Sequence, residues 1–183
     1  FGDFNLKDGY KPGWDRADNP GFALGSLGVF LVIESRAHAE ARGAKPFARL
    51  SRVVADHARR KSAGDVASTL EALWRTLDAE GGRRAVITGA TGAEPVTSEE
   101  RRFLAGHKDI PVRATGTAFG HGLEAQFPLG VALAALALSR QALYPANDPT
   151  GVEIEMAGKP DQIVVVSAGH WRGEGMALVE AVR

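Results

Sequence analysis

The chain has 183 residues, of which 44% are hydrophobic, and its 22 basic and 22 acidic side chains give it no formal net charge. These values are typical of a globular domain that buries a core of its own, and they give no reason to expect nucleic acid as a partner. The absence of cysteine excludes disulfides, cysteine-ligated zinc and a cysteine nucleophile within this chain. We expect a cytoplasmic protein.

The first twenty residues are rich in glycine, aspartate, asparagine and proline, which predicts irregular chain on the surface. The chain starts at Phe1 without a signal-peptide pattern, so we expect it to be part of a longer protein. Residues 21–34 are mostly apolar with glycine interruptions, which predicts two β segments. Ser35 is a suitable N-cap for a helix predicted over residues 35–42.

Hydrophobic periodicity places further elements along the chain. Residues 48–55 and 84–88 are predicted as strands, and residues 66–77 as a helix with one apolar face. That face carries Val66, Leu70, Leu73, Trp74 and Leu77.

The C-terminal part continues the alternation of helices and strands. A helix is predicted over residues 98–104, with two glutamates in its first turn, where the helix dipole favours acidic side chains. Residues 162–167 and 176–182 are predicted as paired strands around a glycine-rich turn.

A basic turn follows the strand predicted over residues 48–55, and it contains Arg59, Arg60 and Lys61. Charge runs of this kind are usually solvated loops, which is the first interpretation. The second interpretation is a docking surface for an acidic partner protein.

The longest apolar stretch covers residues 112–138. Its first part, residues 112–117, predicts a short buried strand that Gly120 and Gly122 interrupt. Residues 123–138 then predict a helix that is apolar on all sides, which is typical of a core helix.

Polar residues near the start of this helix exclude a membrane span, because Glu124, Gln126 and Pro128 leave too few uninterrupted apolar residues. One histidine, His121, precedes the helix. It is interpreted either as a core histidine or as a catalytic residue. The positive end of the helix dipole is expected to favour its neutral form.

No metal site is predicted. The histidines His38, His57 and His107 lack metal-ligand spacing, and surface positions explain them best.

The turn I-T-G-A-T-G at residues 87–92 resembles the phosphate-binding turn of NAD(P)-dependent short-chain dehydrogenases, in which backbone amides hold a pyrophosphate. Two features count against a cofactor here. Pro95 stands where that motif requires a third glycine, and Tyr144 is followed four residues later by Asp148 rather than by lysine. The dehydrogenase-like domain remains a distant alternative, and we expect no cofactor.

Several motifs together resemble those of the β-ketoacyl-ACP synthases, the ketosynthases. Residues 21–34 and 38–44 are similar to the family patterns G-F-V-x-G-E-G-A-x-x-L-V-L-E and H-A-x-x-R-G-A. The Gly-His pair at residues 120–121 matches the end of the motif K-S-x-x-G-H, which opens a buried helix. Residues 144–149 and 168–175 resemble P-x-x-N-x-x-x-P and N-S-F-G-F-G-G-T-N, in the family's order.

The resemblance implies an α/β fold, the C-terminal half of a thiolase-like fold, with a mixed sheet and a buried central helix. Residues 1–45 correspond to the tail of the N-terminal half and residues 46–183 to the C-terminal half. The rest of the N-terminal half is then a missing partner. We expect the helix over residues 123–138 to lie buried against one mixed sheet. The strands of that sheet are predicted over residues 84–88, 112–115, 162–166 and 177–182.

The sequence departs from the family at the catalytic positions. When the histidine motif of the family is aligned on Glu100, its histidine becomes Gly89. When the motif K-S-x-x-G-H is aligned on Gly120 and His121, its lysine becomes Gly116.

Ser26 stands where the N-terminal motif of the family has a glutamate. Because the lysine and this glutamate are both absent, neither charge is left buried without a partner of opposite charge. His121 is the remnant of the catalytic set.

The resemblance also implies roles for residues outside the catalytic set. His170 or Trp171 corresponds to the gating phenylalanine of the family. Arg59, Arg60 and Lys61 are the expected docking residues for an acyl carrier protein.

Two functions follow from this resemblance. The first is a catalytically silent partner, similar to a chain-length factor, of an active synthase in fatty-acid or related acyl-chain biosynthesis. The second is an active condensing acyltransferase with replaced catalytic groups. Loss of a positioned hydrogen-bond donor costs orders of magnitude in catalytic rate, which favours the silent partner. Whether the protein is an enzyme stays open. A homodimer or a heterodimer with a synthase is expected.

Overall fold

The computed structural model describes residues 11–182 except positions 19, 58 and 80. Its helices and strands are α1 (Arg36–Ala41), β1 (Arg49–Asp56), α2 (Asp65–Leu77), β2 (Arg84–Thr88), α3 (Val96–Ala105), β3 (Val112–Ala114), α4 (Thr115–Phe119), α5 (Gln126–Arg140), β4 (Gln162–Ala168) and β5 (Glu174–Glu180). Short 3-10 helices lie at Gly13–Asp15 and Leu123–Ala125. The predicted irregular segment is described only from residue 11, since its first ten residues lie outside the described part.

The five strands form one mixed sheet in the order β1-β5-β4-β2-β3. Strand β2 pairs in parallel with β3 and β4, whereas β5 pairs antiparallel with β4 and β1. All four segments that were expected to share a mixed sheet lie in it, so this prediction is confirmed. The central strands β2 and β4 are buried on both faces, as their continuous apolar sequences indicate.

Helices cover both faces of the sheet. On one face, α2 and α3 place Leu70 and Phe103 in a hydrophobic cluster with Val164 of β4. On the other face, Ala134 of α5 belongs to a second cluster with Val165, the next residue of β4. This division follows from the strand geometry, because successive side chains point to opposite faces.

Helix α5 packs closely on the sheet at Gly130, where a Cβ atom would lie 2.6 Å from Cγ1 of Val165. The predicted burial therefore holds for the side of the helix that faces the sheet. The opposite side is only half-buried, and it carries Ala132, Leu133, Ala135 and Leu136. The helix begins at Gln126, three residues later than predicted. The described part of the chain has no helix long and apolar enough to cross a membrane.

Residues 21–34 form no strand in the structure, and the prediction of two β segments there is wrong. Leu24 forms an isolated parallel bridge with His121, but no strand of the described chain pairs with residues 28–34. The exposed fractions of Phe30, Val32 and Ile33 are 98%, 88% and 69%. An apolar sequence becomes a strand only where a neighbouring strand satisfies its backbone hydrogen bonds, and the described residues provide none here.

Strand β3 ends at Ala114, three residues before the predicted end, and the chain turns at once into α4. The hydroxyl group of Thr115 donates a 3.0 Å hydrogen bond to the carbonyl oxygen of Thr88. This bond fixes the start of α4 against the end of the neighbouring strand β2. Thr115 and the residues after it therefore leave the sheet.

Candidate functional site

The backbone around His121 is fixed by the extended segment that precedes α1. The N–H of His121 donates a 2.7 Å hydrogen bond to the carbonyl oxygen of Ala23, and its carbonyl oxygen accepts a 3.0 Å bond from the N–H of Gly25. Gly120 has a φ of 70°, and a Cβ atom there would lie 2.7 Å from the same carbonyl of Ala23. Only glycine suits this close approach, which explains the glycine before the histidine.

The structure brings together two histidines that lie far apart in the sequence. The rings of His121 and His170 are stacked, with 4.4 Å between their centroids and 30° between their planes. Phe22 contacts both rings, at centroid distances of 5.1 and 4.8 Å. Nε2 of His170 lies 3.1 Å from Oγ1 of Thr91, within hydrogen-bond distance. We call His121 and His170 the histidine pair.

Burial lowers the pKa of both imidazoles. For His121 burial is the main cause, and Glu124 opposes it weakly. For His170 burial acts together with the charges of His121 and Arg60, and the pKa is lowered to about 4. The rings are therefore neutral near pH 7. The predicted neutral form of His121 agrees with this direction. Its main cause is burial rather than the helix dipole, because four residues lie between His121 and the start of α5.

His121 has an unsatisfied polar atom, because its Nδ1 is buried without a hydrogen-bond partner among the described residues. A buried nitrogen in this state is costly unless a water molecule or a ligand satisfies it.

The two predicted gating residues differ in exposure. His170 belongs to the histidine pair, whereas the side chain of Trp171 is 77% exposed.

An ion pair holds the loop that carries His170. The guanidinium of Arg60 lies 2.6 Å from the carboxylate of Glu174, whose side chain is only 1% exposed. The same guanidinium donates hydrogen bonds to the carbonyl oxygens of Gly169 (2.6 Å) and His170 (3.2 Å). Arg60, one of the three predicted docking residues, is therefore engaged in contacts within the chain. The other two, Arg59 and Lys61, are exposed.

The position aligned with the family's lysine is closed to side chains, and the position aligned with its first histidine is tightly packed. A Cβ atom on Gly116 would overlap the carbonyl oxygen of Ala90 and lie 2.9 Å from Cα of Thr91. A Cβ atom on Gly89 would lie 3.1 Å from Cγ of Gln126. Gln126 is buried and fixed there, since it donates to Oγ1 of Thr115 and accepts from the N–H of Gly122.

The predicted dinucleotide turn is filled from within the chain. Arg16, which is 1% exposed, donates a 2.7 Å hydrogen bond to the carbonyl oxygen of Thr91. A Cβ atom on Gly92 would meet the Arg16 side chain and lie 2.9 Å from the carbonyl oxygen of Gly21. Because protein atoms already cover this turn, the structure gives the dehydrogenase alternative no support.

The described residues contain no group of three or more His, Asp or Glu side chains that could hold a metal ion. Neutral imidazoles such as those of the histidine pair can donate and accept hydrogen bonds and transfer protons.

Comparison with known proteins identifies the fold. No protein-family model matches the sequence, and no curated protein matches it. The solved structure of the ishigamide ketosynthase/chain length factor matches with a TM-score of 0.75 and 18% identity, covering 95% of this chain and 47% of that chain. An oxazolomycin ketosynthase domain of Streptomyces albus JA3453 matches with a TM-score of 0.61 and 18% identity, covering 80% and 48%.

A third match is the complex of a type II polyketide synthase acyl-carrier protein with its ketosynthase bound to the hexaketide. Its TM-score is 0.63 at 16% identity, and the match covers 81% of this chain and 42% of that chain. The fold is thus that of the thiolase-like ketosynthases, as the sequence motifs predict. The chain spans less than half the length of these three structures.

Several residues of the site were missed by sequence reasoning. Phe22 and Thr91 lie inside motifs that were recognised, but a motif does not indicate which side chains meet across the fold. Arg60 and Glu174 are 114 residues apart, and the sequence gives no signal for their pairing, because the burial of Glu174 is visible only in the structure.

Proposed function

We propose that this chain is the C-terminal half of a ketosynthase-like subunit that does not condense acyl groups itself. It would act beside an active ketosynthase in the cytoplasm, in fatty-acid or polyketide-type assembly on an acyl carrier protein. The observation that carries this proposal is the closure of position 116, where the family's lysine would stand. Backbone atoms of Ala90 and Thr91 leave no room for a side chain there, and at position 89, where the first histidine would stand, a side chain would press on the buried Gln126.

Condensation needs more than the histidine pair provides. A nucleophile must hold the acyl chain, and positioned donors must stabilise the enolate and the oxyanion as charge develops. The resemblance places the nucleophile in the N-terminal half, and within this chain glycine occupies two of the three positions that correspond to the family's donors. Loss of one such donor typically costs about 10²–10³-fold in rate, so loss of two argues for a non-condensing subunit.

The exposed apolar segment, residues 28–34, supports a partner that completes the fold. Four successive residues of this segment, Phe30 to Ile33, are apolar and exposed. A continuous apolar run is typical of a strand that a complete parallel sheet buries on both faces. The half-buried outer side of α5 is a second apolar surface of this chain. We propose that an N-terminal half of the same fold covers both surfaces, with residues 1–45 as its tail and residues 46–183 as the C-terminal half.

Hydrogen exchange of the full-length protein tests this arrangement. Backbone amides of residues 28–34 should be protected to the same degree as those of β4, because they would be paired in a second sheet. The edge strand β1 serves as an internal reference for partial protection. Exchange of residues 28–34 at the rate of unstructured chain would contradict the proposed partner.

The exposed cations Arg59 and Lys61 are the proposed contact with the acyl carrier protein. Reversal of both charges should weaken carrier binding and reduce its dependence on salt. Charge reversal at Arg36, which is 75% exposed on α1, is the matched control. Equal effects of the two changes would argue against a specific docking site.

The proposed function itself is tested by a condensation assay. The full-length protein is incubated with malonyl-carrier protein and an acyl primer, alone and together with an active ketosynthase from the same source. We expect no condensation by the protein alone and a change of product length when the ketosynthase is present. Robust condensation by the protein alone would refute the silent-partner function.

A second candidate function, an active condensing acyltransferase with replaced groups, is favoured by one observation. The stacked pair of neutral histidines retains hydrogen-bond donors at the site. The residue at the nucleophile position of the full-length protein discriminates between the two candidates. Cysteine there favours the enzyme, and any non-nucleophilic residue favours the silent partner.

A further inference from the structure

A buried chain of hydrogen bonds links helix α3 to the two turns beside the histidine pair. It starts at Glu100 of α3, whose carboxylate accepts a hydrogen bond from the hydroxyl group of Thr88 at the end of β2. Both residues are only 1% exposed. From Thr88 the chain of bonds continues in two directions, one through the hydroxyl oxygen and one through the backbone carbonyl oxygen.

The first branch reaches the turn after β2. The N–H of Ala90 donates a 3.1 Å hydrogen bond to the hydroxyl oxygen of Thr88. The next residue is Thr91, whose Oγ1 lies 3.1 Å from Nε2 of His170. The position of this turn, and with it one contact of His170, therefore depends on how Thr88 is held.

The second branch crosses to the turn before α5. The carbonyl oxygen of Thr88 accepts a 3.0 Å bond from the hydroxyl group of Thr115, to which Nε2 of Gln126 donates a 2.5 Å bond. Oε1 of Gln126 then accepts a 2.7 Å bond from the N–H of Gly122, the residue after His121. Thr115 and Gln126 are also buried, so each of these bonds is costly to leave unmade.

In the described chain, the charge of Glu100 is not balanced by a charge on the elements around α3. These elements are α2, the first 3-10 helix and, through Thr88, the strand β2. Their charged residues are Asp15 and Arg16 at the 3-10 helix, Asp65, Glu71 and Arg75 on α2, and Arg84 on β2. None of them is among the causes that shift the pKa of Glu100, which burial raises to about 7 while the Thr88 bond opposes the shift.

The charged residues next to Glu100 on α3 itself are directed elsewhere. Glu99 is bound to N–H groups at the start of α2, and Arg101 donates to the carbonyl oxygen of Trp14. Arg102 is exposed. Ionisation of Glu100 therefore places a charge in the core without a partner of opposite sign, and water can relieve it only where the contact around Glu100 opens.

We propose that this chain of hydrogen bonds is a proton-sensitive coupling, in which ionisation of Glu100 loosens the contact between α3 and β2 and, through Thr88, both turns beside the histidine pair. A neutral Glu100 fits the closed arrangement, because an uncharged carboxyl group in the core needs no counter-charge. An ionised Glu100 favours an arrangement in which α3 separates from the end of β2. The coupling does not require the silent-partner function.

The direction of the pH dependence follows from the proton that Glu100 binds. In the open arrangement water restores the ordinary pKa of 4.5, whereas in the closed arrangement the pKa is about 7. Between these values the closed form binds more protons, so opening increases about tenfold for each pH unit. The increase ends as the pH passes through about 7, because both forms are then ionised.

Hydrogen exchange resolved to single amides of the full-length protein tests the coupling. The amides of Ala90 and Gly122 are the donors at the ends of the two branches, and their opening, corrected for intrinsic exchange, should rise by up to about 10²-fold between pH 5 and 8. The amide of Val164 in β4 reports global unfolding and should stay more protected than both. Equal protection at all three amides would overturn the coupling, because it would leave only global unfolding.

Two pairs of variants separate the coupling from a general effect of pH. Glu100→Gln cannot ionise and should remove the rise at both amides, whereas Glu40→Gln, on the exposed side of α1, should keep it. Thr115→Val interrupts the second branch and should remove the rise at Gly122 alone. Thr115→Ser retains the hydroxyl group and should keep it.

Thermal denaturation identifies variants that do not fold. A rise that persists in Glu100→Gln would overturn the proposal, and so would an unchanged response of Gly122 in a folded Thr115→Val variant. If Thr115→Val does not fold, the comparison of the wild type with Glu100→Gln decides the matter alone. Loss of the rise in Glu100→Gln, with its retention in Glu40→Gln, supports the coupling.

Discussion

The carboxylate of Glu99 accepts a 2.8 Å hydrogen bond from the backbone N–H of Val66, and thereby caps a helix other than its own. It also accepts bonds from the N–H groups of Gly64 (2.9 Å) and Ala67 (3.2 Å). The N-cap of α2 is Gly64, which has no side chain that could satisfy these donors. Glu99 supplies the missing cap from the first turn of α3 and ties the two helices together.

Glu99→Ala should lower the free energy of unfolding by about 1–2 kcal/mol, because three backbone donors lose their acceptor. Glu99→Gln should cost less, since one side-chain oxygen remains. Urea denaturation at neutral pH measures both. The control is Glu40→Ala, which removes an exposed pair with Arg36 and should change stability by less than about 0.5 kcal/mol. Equal effects at positions 99 and 40 would show that the cap is unimportant.

Removal of Arg60 should destabilise the fold more than removal of a surface charge. Arg60→Met leaves the Glu174 carboxylate buried without its cation, at a cost on the order of 3 kcal/mol. The double variant Arg60→Met/Glu174→Gln removes the stranded charge and should recover part of the loss. A double variant less stable than Arg60→Met would contradict this account.

The same substitution should change the titration of His170. The positive charge of Arg60 is one of the causes that lower the pKa of His170, after burial and the charge of His121. Its removal should therefore raise that pKa from about 4 towards the ordinary value of 6.5. NMR titration of the imidazole resonances measures the shift, with Arg59→Met as the control for an exposed neighbour. A pKa that stays at about 4 would contradict the contact.

Glu100 should make stability depend on pH. Its side chain is buried, and burial raises its pKa from 4.5 to about 7, although the hydrogen bond from the Thr88 hydroxyl opposes the shift. Between these values the folded state binds more protons than the unfolded state, so stability falls as pH rises. The contribution is fully present below about pH 4.5 and is lost as pH passes through about 7.

Glu100→Gln tests this dependence, because the amide keeps the shape of the side chain without its charge. The variant should be more stable than the wild type above pH 7, by up to a value on the order of 3 kcal/mol. It should also show a flatter stability profile between pH 4.5 and 8. Urea denaturation across that range measures both quantities. A variant whose profile parallels that of the wild type would exclude Glu100 as the source.

Gly116→Ala should destabilise the protein even though alanine is the better helix former. Its Cβ atom would overlap the carbonyl oxygen of Ala90, and relief requires a backbone shift, which typically costs about 1–3 kcal/mol. Gly28→Ala is the matched control, since a Cβ atom there meets nothing within 4 Å. Thermal denaturation compares the two. A tolerated Gly116→Ala would show that the space is open after all.

The parts of the fold that could be predicted from sequence are those whose neighbours lie within the chain. The apolar face of α2 follows from helical periodicity, and β2 and β4 follow from continuous apolar runs flanked by turns. Residues 28–34 carry the same type of apolar run, yet they form no strand, because pairing depends on a second segment that a local pattern does not reveal. Likewise, Gly120 and His121 were recognised as a motif, whereas the stack with His170 arises only when the β4–β5 turn folds over that motif.

The close approach of Gly116 to Ala90 also limits what this position can carry. A Cβ atom at residue 116 would overlap the carbonyl oxygen of Ala90, so any larger side chain there would first require α4 and the turn after β2 to move apart. A single substitution of Gly116 by lysine therefore cannot place an ammonium group in the site without a second change that rearranges the backbone.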